Sequence, residues 1–185
     1  MGDSQGNYLD RFPEWLRSLG EDAERLGQIA ATAELSEPAR RALAGGVNYL
    51  FKSLDLVPDG IDDIGYLDDA FVLRVAAEQA LREDVSQLGP EPLRMLNALA
   101  ADAAIVQEFL GGEYGRLAGY VAGLGKVAAR GRTVQNVLHD REVRAAFLSD
   151  LRGFAQAYEP PNFAREEKNL IKLRAFFDAK LPRGQ

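Results

Sequence analysis

The stretch from about Leu67 to Ser86 is apolar around nearly all of a helical circumference, and no other segment restricts the fold as strongly. Phe71, Val72, Leu73, Val75, Ala76, Ala77, Ala80 and Leu81 leave a narrow polar stripe of Arg74, Glu78 and Arg82 at four-residue spacing. Each large apolar side chain left in water forgoes roughly 1.5–3 kcal/mol of burial, so such a helix must be enclosed by other elements. The stripe predicts an ion-pair ladder along the helix surface.

The remaining segments read as the enclosing helices. Tyr8, Phe12, Trp15, Leu16 and Leu19 share one face of a first helix, which Gly20 is expected to end. Ala23, Leu26, Ala30 and Ala33 continue the spacing in a second. Ser36 and Pro38 open a third that runs to about Leu54. Gly45 and Gly46 inside it cost about 1 kcal/mol each relative to Ala, which predicts that a neighbouring element approaches closely there. Gly89-Pro90 and Gly111-Gly112 bracket a seam of Leu96, Leu99, Ala103, Val106 and Leu110. Gly115, Gly119 and Gly123, four apart within Tyr114–Ala129, predict tight packing against another helix. Thr133 and Asp140 are expected caps, and Asn162, after Pro160-Pro161, is expected to cap a last helix. No alternating strand pattern is present. The fold class is therefore all-α: an irregular multi-helix bundle, one domain over 1–185, with a central helical hairpin at 42–82 and a C-terminal docking helix at 162–181.

Composition removes several chemistries. The chain has no cysteine and a single histidine, His139, so thiolate nucleophiles and zinc sites built on Cys or His are excluded. Beside Asp140, His139 leaves a Ser-His-Asp arrangement formally open, with a structural role favoured. Gly123, Gly125 and Lys126 do not make a phosphate loop, because Tyr120 and Val127 stand where the pattern needs Gly and Ser or Thr. Met1–Asp10 has neither a basic start nor an apolar run, and no stretch approaches the ~20 apolar residues of a membrane span. A cytoplasmic protein is the expectation. Net charge is −6, divided into −11 over residues 1–112 and +5 over 113–185. An acidic whole without a recognition motif argues against a nucleic-acid partner, despite Lys126, Arg130, Arg132, Arg141 and Arg144.

The joint between the third helix and the apolar helix concentrates negative charge. Asp55, Asp59, Asp62, Asp63, Asp68 and Asp69 are six carboxylates within fifteen residues, with no basic residue between Lys52 and Arg74. Pro58 disfavours helix at Val57, so the preceding helix should end by about Asp55, where the dipole opposes a negative charge. Asp68 and Asp69 fall in the first turn of the next helix, where it favours one. Hard oxygen ligands in this number suit Mg²⁺ or Ca²⁺, with Asp55, Asp59 and Asp69 the first candidates. The competing reading is capping, turn formation and solvation, with arginines from the basic half as partners.

The run Leu54-Asp55-Leu56-Val57-Pro58-Asp59, with Ile61 and then Gly65-Tyr66-Leu67-Asp68-Asp69, resembles the signature of the YkvA family of bacterial proteins. The resemblance implies a short helical hairpin of unassigned function over about residues 42–82 and carries no catalytic residues. Lys52, Ser53 and Asp62 stand where relatives often have proline or apolar residues, and many relatives look membrane-embedded around the hairpin. Two main functions are compatible with these readings. The first is a non-enzymatic protein-interaction or regulatory module, with Phe12, Trp15, Phe176 and Phe177 as anchors for a protein partner. The second is a divalent-metal-dependent hydrolase or transferase using the hinge aspartates. Peripheral membrane attachment follows only from the resemblance.

Overall fold

The computed structural model describes residues 2–61 and 63–183, with side chains from residue 7 onward. Its helices are α1 (Gly2–Ala31), α2 (Glu37–Asn48), α3 (Leu67–Ala80), α4 (Pro90–Leu110), α5 (Tyr114–Gly123), α6 (Val134–His139), α7 (Arg141–Ala157) and α8 (Glu167–Lys180). A two-residue antiparallel ladder, β1 (Ala128–Ala129) with β2 (Arg132–Thr133), closes through the Arg130-Gly131 turn. It is the one piece of strand among the described residues, and the architecture is an all-α bundle.

Helix α3 sits at its centre. Every residue from Leu67 to Ala77 is buried, Asp68, Asp69 and Arg74 included. The expected ladder holds for one step: Arg82 meets Glu78 at 2.9 Å. Arg74 instead turns inward. It reaches Asp22 of α1 at 3.6 Å and Asp102 of α4 at 3.3 Å, and its guanidinium lies 4.1 Å from the centre of the Trp15 ring. One buried cation thereby ties together three helices, with its charge compensated by two carboxylates and a ring face.

Around α3, helices α1, α4 and α8 contribute a common aromatic core. Phe71 stacks on Phe177 at 5.2 Å and meets Phe12, Trp15 and Phe109 edge-on. Three of the sequence-predicted partner anchors, Phe12, Trp15 and Phe177, are therefore buried in the chain's own core, and Phe176 is half-buried against it. Large flat rings contribute most when fully desolvated, and the apolar circumference of α3 supplies that environment from within.

Several boundaries differ from expectation. Gly20 does not end a helix; α1 passes through it without a break. A Cβ at Gly20 would lie 3.2 Å from the Ala155 Cα, so glycine here admits the backbone of α7. Helix α2 stops at Asn48 and passes through a single 3-10 turn, Tyr49–Phe51, so Asp55 lies in irregular chain and not at a helix end. Asn162 caps nothing: α8 begins at Glu167 after an extended approach, which buried Asn169 holds by donating to the Ala164 carbonyl at 2.8 Å. The caps at Ser36, Thr133 and Asp140 form as expected. So does the close approach at Gly45-Gly46: added Cβ atoms would lie 2.8 Å from the Gly125 nitrogen and 2.5 Å from the Ala76 Cβ. Gly115, Gly119 and Gly123 behave otherwise. All three are exposed, with nothing within 4 Å of an added Cβ, so their spacing packs against no other part of the described chain.

Candidate functional site

The joint between α2 and α3 is a folded corner. Pro58 and the left-handed residues Asp63 (φ 77°) and Tyr66 (φ 66°) bend the chain back. A side chain at Gly65 would collide with the Asp59 carbonyl oxygen, so glycine is required there by backbone crowding. Leu56, Val57 and Ile64 are buried and pin the corner to the core.

Its central tie is polar. The Tyr49 hydroxyl donates to Asp68 Oδ2 at 2.6 Å and accepts from the Leu56 backbone N–H at 2.7 Å. Val57 N–H donates to the same Asp68 oxygen at 3.0 Å. The carboxylate of α3's first turn thus captures the backbone of the Leu56-Val57 segment, and a tyrosine nineteen residues upstream completes the bridge. Burial and the neighbouring Asp68 and Asp69 charges hold the Tyr49 phenol well above the ordinary tyrosine range, so it remains a donor.

The sequence-predicted ligands fall into two environments. Asp69 is buried beside Asp68, Asp55 is half-buried, and Asp59 lies at the exposed rim. Asp62 lies outside the described residues. Asp68 Oδ1 and Asp69 Oδ2 are both buried without a hydrogen-bond partner. Burial raises both carboxyls above the usual range, and for Asp69 the Asp68, Asp59 and Asp55 charges add to it. Asp55 is pushed up to about 7, by desolvation first and then by the Asp59 and Asp68 charges, against a smaller opposing pull from Lys52. Asp59 is raised by desolvation. Among the described residues no Lys or Arg lies within 4 Å of these four carboxyls. The amino group of Lys52, the nearest basic residue in sequence, bonds the Tyr120 hydroxyl at 2.6 Å instead.

Four acids therefore share a corner in which, among the described residues, no basic side chain forms an ion pair with them. Among the described residues, no three His, Asp or Glu side chains converge closely enough to hold a metal ion as they stand. His139 is at the surface, 3.3 Å from Glu37. Sequence reasoning found the acids but not their tie. Nothing in local spacing links Tyr49 to Asp68, and the contribution of Val57 is a backbone N–H that no side-chain pattern reports.

Fold and site together define an α-helical bundle built around a buried acidic hairpin corner. Within it, residues 39–74, from α2 through the corner to the middle of α3, match a family described as "Protein of unknown function (DUF1232)". No curated protein and no solved structure matches the chain. No helix among the described residues is long and apolar enough to cross a membrane.

Proposed function

We propose that the chain is a non-enzymatic regulatory module and that the α2–α3 corner is where it takes up positive charge. One observation carries this reading: Asp68 and Asp69 are buried side by side, each with an orphaned oxygen, and among the described residues no basic side chain pairs with them. Burying an ionised carboxylate without a counter-charge costs several kcal/mol, so the corner holds a proton or accepts a cation. Mg²⁺ or Ca²⁺ is the inorganic form of that cation, with Asp55, Asp59 and Asp69 as ligands. Because the acids do not yet form a three-ligand set, binding would draw the half-buried Asp55 and the rim residue Asp59 onto Asp69. That closure tightens the 52–66 loop on α3 and turns occupancy into a change of surface. The YkvA-like reading belongs to the same proposal, since the residues that carry it, 54–59 and 65–69, form this corner.

The test is isothermal titration of the full chain with Mg²⁺, Ca²⁺ and Mn²⁺, alongside Asp69→Asn. Saturable binding that Asp69→Asn abolishes is expected; silence at millimolar metal ends the divalent reading. Leu54, 82% exposed immediately before Asp55, favours a protein partner as a second source of the charge. A protein that co-purifies with the wild type but not with Leu54→Glu or with Asp55→Asn/Asp59→Asn supports that source. Recovery undiminished by both changes counts against it.

A further inference from the structure

A second feature lies beside the corner and does not depend on the divalent reading. Tyr66, Phe154, Ala157, Tyr158 and Glu159 line a surface pocket of about 350 Å³. Its three rings come from two elements: Tyr66 from the N-cap of α3, Phe154 and Tyr158 from the end of α7. Tyr66 and Tyr158 stand at 86° with centroids 5.3 Å apart, and Phe154 lies 6.2 Å from Tyr66 and 5.3 Å from Tyr158. All three are only half-buried, and all three line the pocket.

Two observations indicate that these rings are held in place. The Tyr158 hydroxyl donates to the Leu16 carbonyl at 2.8 Å, fixing that ring against α1. Tyr66 occupies left-handed backbone at φ 66° and caps α3 without a side-chain hydrogen bond. Asn or Gly would suit that position better, so the backbone that carries this ring is strained. Carboxylates also stand nearby: Glu159 is in the pocket wall, and the exposed Asp59 acts on both tyrosines.

Non-parallel aromatic faces backed by carboxylates are the chemistry that recognises a methylated ammonium group: the ring quadrupoles attract the cation and its methyl groups fill apolar space without needing hydrogen bonds. We infer that the Tyr66–Phe154–Tyr158 pocket binds a small quaternary ammonium ligand. A hydrated inorganic ion could not use the ring faces without losing its water, whereas a quaternary ammonium has little to lose.

The probe is choline, titrated into the full chain while the Tyr and Phe ring resonances are followed by NMR, with 3,3-dimethyl-1-butanol as the neutral isostere. Saturable shifts confined to Tyr66, Phe154 and Tyr158 are expected, with choline preferred by roughly tenfold or more. Phe154→Ala should weaken binding by about the same factor. Asp59→Asn, at an exposed position that leaves the core intact, should weaken it severalfold and reduce its salt dependence. Flotation with phosphatidylcholine vesicles that free choline reverses would assign the same chemistry to a lipid headgroup. Equal response to the neutral isostere, shifts mapping elsewhere, or no response to choline or vesicles overturns the inference. Because choline is not a metal, its failure is separable from that of the divalent titration.

Discussion

Replacing Tyr49 by Phe removes one oxygen atom and tests whether the corner is a rigid joint or a loose tether. That oxygen makes two bonds, donating to Asp68 at 2.6 Å and accepting from the Leu56 N–H at 2.7 Å, within a buried environment. Without it, Leu56 N–H is a buried donor with no acceptor, a loss of about 1–3 kcal/mol. Asp68 Oδ2 retains only Val57 N–H, and the lost bond to a carboxyl is worth about 1.5–3 kcal/mol. The two losses share an atom and do not add fully, so about 2–4 kcal/mol of destabilisation is expected. For a chain of 185 residues this lowers Tm by roughly 4–16 °C. The assay is urea unfolding followed by circular dichroism, with thermal melts beside it. Tyr120→Phe is the control: its hydroxyl meets only Lys52 at a partly exposed site and should cost less than about 0.5 kcal/mol. A double-mutant cycle with Asp68→Asn should give a coupling of about 1 kcal/mol or more. A Tyr49→Phe loss below about 1 kcal/mol, or no coupling, would refute the argument that this bridge holds the corner closed.

Three further outcomes are expected. Arg74→Ala leaves Asp22 and Asp102 facing each other without their shared cation and should cost about 3–5 kcal/mol in denaturant melts, while Arg74→Met, which keeps the packing on Trp15, should cost less. In metal-free buffer, the corner acids should contribute stability that is fullest below about pH 4 and is lost as pH rises towards 7. The corner acids have folded-state values above the ordinary 3.8, with Asp55 at about 7, so the native state binds protons more tightly than the unfolded chain; Asp55→Asn should flatten the trend. Gly46→Val should destabilise by about 2 kcal/mol or more, because its Cβ would lie 2.5 Å from that of Ala76, whereas Gly119→Ala, with open space around it, should stabilise by about 0.5–1 kcal/mol.

The amino-acid order was sufficient for much of this. The 3.6-residue period of the apolar positions set the fold class, because it is a local property that any enclosing geometry must satisfy. The apolar surface that covers most of the circumference of α3 placed that helix at the centre, and the concentration of aspartates between 55 and 69 marked the corner. Ser36, Thr133 and Asp140 announced their helices because capping involves only the next two or three residues. Partnership across the fold was another matter. Gly20 and Gly115 look alike in sequence; one admits α7 and the other faces open space. Phe12, Trp15 and Phe177 had the composition of anchors, but which apolar face is already covered depends on where the other helices lie. Arg74 left its surface ladder because Asp22 and Asp102, 52 and 28 residues away, reached it in the interior. The Tyr49–Asp68 bridge and the Tyr66–Phe154–Tyr158 pocket likewise join residues without any local relation. Periodicity, capping and charge density act between near neighbours and can be read along the chain, whereas burial and pairing are decided only when distant segments compete for the same space.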